Sequence, residues 1–198
     1  TADDTSTSAS EENATDLTMA GVKTLNIVAS GTNVLDLSSA SAAKTVNVSG
    51  DGSVKLTNIA STTKTIDASE ATAAVVINES TNLTSGKSIT TGSGDDKVTI
   101  EANDMLATGV MAGGDGADKL VFAGNGGTTQ FTQSGFETVE WNSMGADHIY
   151  SMANTSDVTD FNIGTIGSDG AATSIGAYSV TVTGSGSSNY AVNLQSAE

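Results

Sequence analysis

The sequence predicts an all-β chain wound as a parallel β-solenoid of the β-roll or β-helix kind. Three features predict it. A Lys-Thr/Ser-aliphatic unit recurs at a fixed period, a second short alternating segment follows each unit, and Gly, Ser, Asn and Asp fill the gaps. The unit starts at Lys23, Lys44, Lys64 and Lys87, with spacings of 21, 20 and 23 residues. Apolar and polar residues alternate within it, which is the period of a half-buried strand. A long period of about 20 residues marks stacked coils, because no single coil can bury its own apolar face. A β-sandwich also uses many short strands, but nothing in that architecture demands so regular a spacing.

Taken in order, residues 1–16 are polar and acidic and read as a flexible lead-in to an internal or C-terminal piece of a larger protein. Residues 17–135 carry the solenoid, in coils of roughly 20–23 residues with two short strands each. Leu25, Val46, Ile66, Ile89 and Met111 are expected to stack as one inward ladder. Leu35, Val54, Val75, Val98 and Leu120 are expected to form the second. Residues 136–198 form a less regular β region that either continues the solenoid or ends in a hairpin. The hairpin would join Tyr178–Val182 to Tyr190–Leu194 through the Gly/Ser run 184–188. Trp141 is expected to plug the core, and His148 to be structural.

Composition removes several functions. The 198 residues carry 7 Lys+Arg against 23 Asp+Glu, a formal charge of -16. Such a surface does not suit nucleic acid, whose affinity comes from clustered Lys and Arg. All basic residues are Lys, so no guanidinium fork exists for phosphate or carboxylate. Cysteine is absent, which excludes disulfides, thiolate metal sites and cysteine nucleophiles. No stretch approaches the roughly 20 apolar residues of a membrane-spanning helix. No nucleophile elbow, P-loop or H-E-x-x-H is present, and the aromatics and Arg of a sugar-cleaving cleft are scarce. The expectation is a protein that is not an enzyme.

The chemistry concentrates in two turns, residues 91–99 and 113–121. Both follow the nonapeptide G-G-x-G-x-D-x-U-x, in which U is aliphatic. The second copy matches at every defined position, and the first has Thr91 in place of the leading Gly. Glycines permit a positive φ and let carbonyls converge. The Asp brings a charged oxygen, and Ca²⁺ takes six to eight such hard oxygens. Asp96 and Asp118 are 22 residues apart, one coil, so the two turns should stack on one edge. The expected calcium ligands are Gly92, Gly94 and Asp96 above and Gly114, Gly116 and Asp118 below, with Asp95 and Asp115 as further oxygens. The ordinary alternative is that Gly-Asp-rich segments are simply turns.

These motifs resemble the RTX (repeats-in-toxin) calcium-binding proteins, and their sparse arrangement is most similar to RTX-containing bacterial surface-layer proteins of the Caulobacter type. The resemblance runs through the two nonapeptides and the following Gly135-Phe136-Glu137-Thr138-Val139 element, over roughly residues 17–141. It implies type I secretion, a place outside the cell on the bacterial surface, calcium-dependent folding and self-assembly into a two-dimensional lattice. It also implies lipopolysaccharide attachment through another region. It departs from RTX toxins and proteases, which carry dense tandem nonapeptides. The other readings are an RTX adhesin or biofilm-matrix module, and the non-catalytic RTX region of a secreted enzyme.

Overall fold

The computed structural model describes residues 15–16, 19–79, 87–101, 109–124, 132–144, 147–151, 155, 157–163, 180–183 and 191–194. Residues 1–14 of the expected lead-in lie outside them. Its last two residues, Thr15–Asp16 (β1), already pair in parallel with Thr32–Asp36 (β3).

Among the described residues the fold is all-β, without helices, and winds as a parallel solenoid. Up to residue 144 each coil contributes one strand to each of two sheets, and a separate two-stranded sheet follows. The first sheet holds Thr24–Ala29 (β2), Thr45–Gly50 (β4), Thr65–Ala71 (β6), Ser88–Thr90 (β8), Val110–Ala112 (β10) and Thr132–Ser134 (β12). The second sheet begins with β1 and β3 and continues through Ser53–Thr57 (β5), Val75–Glu79 (β7), Lys97–Glu101 (β9) and Lys119–Gly124 (β11). It then runs on past residue 135 through Thr138–Met144 (β13), Asp160–Ile163 (β15) and Ala191–Leu194 (β17). No helix among the described residues is long and apolar enough to cross a membrane.

Alternation dictates the core. In the first sheet Leu25 lies opposite Val46, then Ile66, Ile89 and Met111, which is the predicted ladder. The second ladder differs from the expected one. Leu35 faces Leu56, Leu56 faces Ile77, and Ile77 faces Val98 and then Leu120. Val54 and Val75 belong to a separate inward column two residues earlier, above Asp96 rather than Val98. Period-two alternation places both columns on the same face, so aliphatic identity alone cannot tell them apart.

Toward the C-terminal end the core widens and fills with rings. Phe122, Trp141, Tyr150 and Phe161 are buried with centroids 5.6 to 6.0 Å apart. Trp141 is fully buried, as expected of a core residue. Gln133 donates through Nε2 to both Tyr150 and Thr155, giving this wider end a buried polar tie.

The hairpin expected near the C-terminus is replaced by parallel pairing. Val180–Thr183 (β16) pairs with His148–Ser151 (β14), while β17 pairs with β15 in the other sheet. Alternating strands joined by a Gly/Ser run serve a solenoid as well as a hairpin, so local pattern does not choose between them. The side chain of His148 lies outside the described residues.

Candidate metal centre at the stacked turns

The two nonapeptides form the connections from β8 to β9 and from β10 to β11. Ile89 faces Met111 before the turns and Lys97 faces Lys119 after them. Turns of equal length therefore superpose: Gly92 over Gly114, Gly94 over Gly116, Asp96 over Asp118. The predicted stacking on one edge is what the structure has.

Glycine is required here for closeness. A Cβ on Gly114 would lie 2.0 Å from the Gly92 carbonyl oxygen, and one on Gly116 would lie 2.3 Å from that of Gly94. The upper carbonyls thus pack directly against the lower glycines, too close for any side chain, as Ala29 O does against Gly50. Gly114 and Gly116 also take the left-handed φ values of +93° and +144°. The upper turn reaches a similar path without positive φ at Gly92 or Gly94, so those glycines answer only to the backbone of the coil above.

The aspartates divide into two roles. Asp95 and Asp115 are exposed on the rim of the turns. Asp96 and Asp118 are 2% and 1% exposed. They are buried because they stand two residues before Val98 and Leu120, in the inward phase of the strand, directly below Val75 in the column.

Each buried carboxylate accepts a backbone N–H from the coil above. The Val75 N–H donates to Asp96 Oδ1 at 2.6 Å, and the Asp96 N–H donates to Asp118 Oδ1 at 2.8 Å. The Asp118 N–H donates in turn to Glu137 Oε2 at 2.8 Å. Beside this column, Ala117 donates to Asp95 Oδ1 and Gly135 to Asp157 Oδ2, each at 3.0 Å. Sequence reasoning did not assign Glu137 or Asp157 to this edge. The available signal was that Glu137 stands two residues before Val139, just as Asp96 and Asp118 precede their aliphatics.

Asp96 has both oxygens engaged, since Gly92 donates to Oδ2 at 3.0 Å. Burial pushes its carboxyl above the usual range, against the pull of hydrogen bonds from Val75, Thr91 and Gly92. Asp118 has no such balance. Its Oδ2 is buried without a hydrogen-bond partner. Burial, aided by the charges of Asp96, Glu137 and Asp95, outweighs the Asp96 N–H and pushes its pKa up to about 7.

An orphaned buried carboxylate oxygen fits a hard cation, although the Gly92 carbonyl of the upper turn already accepts the Asp115 N–H at 3.0 Å. Among the described residues no three His, Cys, Asp or Glu side chains gather closely enough to hold a metal by themselves. A cation here would have to draw on backbone carbonyls of the turns as well. A second concavity, a groove of about 340 Å³, lies on the outer face of the first sheet. A β-bulge between β4 and β6 opens it, and Asn26, Asn47, Asp67 and Glu70 are among its lining. Asp67 is already engaged by the Ser69 N–H and hydroxyl.

No protein-family model matches the chain, and neither a curated protein nor a solved structure matches it. The functional reading therefore rests on the site itself and on the motif resemblance.

Proposed function

We propose that this chain is a structural segment of a secreted bacterial surface-layer protein of the RTX kind, which binds calcium at the stacked turns and self-assembles outside the cell. The observation that carries the calcium reading is Asp118 Oδ2, buried and unpartnered beside Gly113 in the lower turn. Asp95, Asp96, Asp115 and Asp118, with the carbonyls of Gly92, Gly94, Gly114 and Gly116, are the residues that would hold the ion. Bound calcium would supply positive charge to two adjacent turns that carry four carboxylates, two buried and two on the rim. Without it, their mutual repulsion and the desolvated Asp118 weaken the joint between these coils. Metal affinity and coil stacking are therefore coupled. The lattice role draws support from the repetitive, cysteine-free, strongly acidic chain, whose net charge holds copies apart until cations arrive. The partner is the chain itself, with lipopolysaccharide attachment through another region.

The test is a calcium titration of the purified chain, followed by circular dichroism, calorimetry and light scattering. The expected outcome is saturable binding, a higher Tm and assembly into ordered sheets, with magnesium substituting poorly because it demands a tighter octahedron. Absence of calcium binding overturns the metal reading. Calcium-stabilised monomers that never assemble would shift the role to an RTX adhesin or to the non-catalytic region of a secreted enzyme.

A further inference from the structure

The first nonapeptide departs from the pattern at one position, Thr91, which stands where the second has Gly113. The register that sets Thr90 against Ala112 places these two residues one above the other. Thr91 is 1% exposed, so its hydroxyl needs a partner inside the fold. It finds one across the joint between coils. The Thr91 N–H donates to Ala112 O at 2.8 Å, and the Thr91 hydroxyl donates to Gly113 O at 2.5 Å. Two oxygens this close need the hydrogen between them. The hydroxyl also reaches the Asp96 carboxylate.

The lower turn cannot be tied in the same way. Residues 135–137 make a shorter connection than residues 113–118, and a Cβ on Gly113 would run into the Gly135 carbonyl. The leading position of the nonapeptide therefore takes a side chain in the upper turn and must be glycine in the lower. The same Cβ would lie 2.8 Å from Asp118 Oδ2. Gly113, whose carbonyl Thr91 holds, thus lies directly against the buried oxygen that lacks a hydrogen-bond partner.

We propose that Thr91 is a positioning residue for the calcium site, tying Gly113 to the upper turn before the ion arrives and so fixing the wall beside Asp118 Oδ2. The proposal rests on the calcium reading and names the residue that presets its geometry. A preset joint leaves less chain to order when the ion binds, which raises affinity. A fixed spacing also keeps the site from contracting around magnesium. Removing a group that holds metal ligands in place weakens binding by about tenfold to a hundredfold.

Buried Thr63 supplies the control. Its hydroxyl ties neighbouring coils in the same manner, to Ala43 O at 3.1 Å, but on the opposite connection, which leads into β6. Calorimetry measures calcium and magnesium binding to the wild type, Thr91→Ala, Thr91→Ser and Thr63→Ala, with urea denaturation in chelator to follow folding. Thr91→Ala is expected to bind calcium at least about tenfold more weakly and to lose part of its preference over magnesium. Thr91→Ser keeps the hydroxyl and should bind as the wild type does. Thr63→Ala should lose stability yet keep the wild-type calcium affinity. Hydrogen exchange of the metal-free wild type needs no variant. The Thr91 amide should exchange as slowly as the Lys64 amide, which bonds Lys44 O at the same 2.8 Å. An unprotected Thr91 amide in chelator, or a Thr91→Ala chain that binds calcium like the wild type, overturns the positioning and leaves the calcium reading intact. Thr63→Ala weakening calcium as much as Thr91→Ala also overturns it, since any loosened coil would then serve. A wild-type chain that binds no calcium overturns the calcium reading, and the positioning with it.

Discussion

The unpartnered oxygen of Asp118 makes the metal-free chain sensitive to pH in an unusual direction. Its pKa rises from 3.8 to about 7 in the fold. Between those values the folded chain keeps a proton that the unfolded chain has released. Stability is therefore greatest below the lower value and is lost as pH climbs toward 7. A rise of this size corresponds to about 4 kcal/mol, at about 1.4 kcal/mol for each pH unit. The rim of the turn is open to water, and screening should reduce the effect to about 2 kcal/mol. Asp96 moves in the same direction and adds to the slope. Asp36, held below its usual range chiefly by the Ser38 N–H, loses its contribution only in stronger acid, outside the window. The assay is urea denaturation in chelator from pH 4.5 to 7.5, read by circular dichroism, on the wild type and on Asp118→Asn. The wild type should weaken across the window and the variant should weaken much less, because it has no charge to bury. In saturating calcium the wild-type slope should reverse, since ionised carboxylates bind the cation. A metal-free wild type that gains stability with pH, or an Asp118→Asn chain that keeps the full slope, would refute the reasoning.

Three other perturbations test the packing. Gly114→Ala would force a Cβ to 2.0 Å from the Gly92 oxygen at a φ of +93°, and should cost about 3 kcal/mol in urea denaturation. Gly31→Ala, at a φ of +68° with no atom within 4 Å, should cost only about 1 kcal/mol. Trp141→Ala should destabilise by about 3–5 kcal/mol, and the blue-shifted emission of this single tryptophan should move red only when the wild-type chain unfolds. Lys119 and Glu140 pair at 2.8 Å, with the Glu side chain 8% exposed and the Lys 39%. Thermal melts should show Lys119→Met costing about 2 kcal/mol and Glu140→Gln less, because only the first strands a buried charge.

The solenoid is legible in the sequence because the coils of β2, β4, β6 and β8 enter the first sheet through the same Lys-Thr/Ser-aliphatic step. That step fixes which residues meet, and the ladder from Leu25 to Met111 follows from it. The second sheet has no such marker. Its inward column holds Val54 and Val75 in two coils and Asp96, Asp118 and Glu137 in the next three. An alignment on aliphatic residues slips by two there and keeps every side chain on its correct face, so no conflict in pattern exposes the error. The stacked turns are visible from glycine spacing. The burial of Asp96 and Asp118 is not, because it depends on the strand phase extending back through the turn. The lysine repeat reads in sequence as a strand marker, and its meaning as a charged edge needs the register between coils.

One rule connects these features. In a parallel solenoid a residue is placed by its phase within the strand and repeated by the coil period, so any side chain that recurs becomes a column. Apolar columns are favourable when stacked, and they fill the core. Charged columns repel when stacked, and this chain resolves them in two ways. Where the acids point inward, the amides of the coil above neutralise part of their charge, and only Asp118 Oδ2 is left without a partner. Where the lysines recur at the strand starts, Lys23, Lys44 and Lys64 are exposed, and water and salt screen their repulsion. The inner column is therefore met by amide donors and the outer one by solvent. Calcium bound at the inner column, as proposed, would couple metal binding to coil stacking through the same repeat.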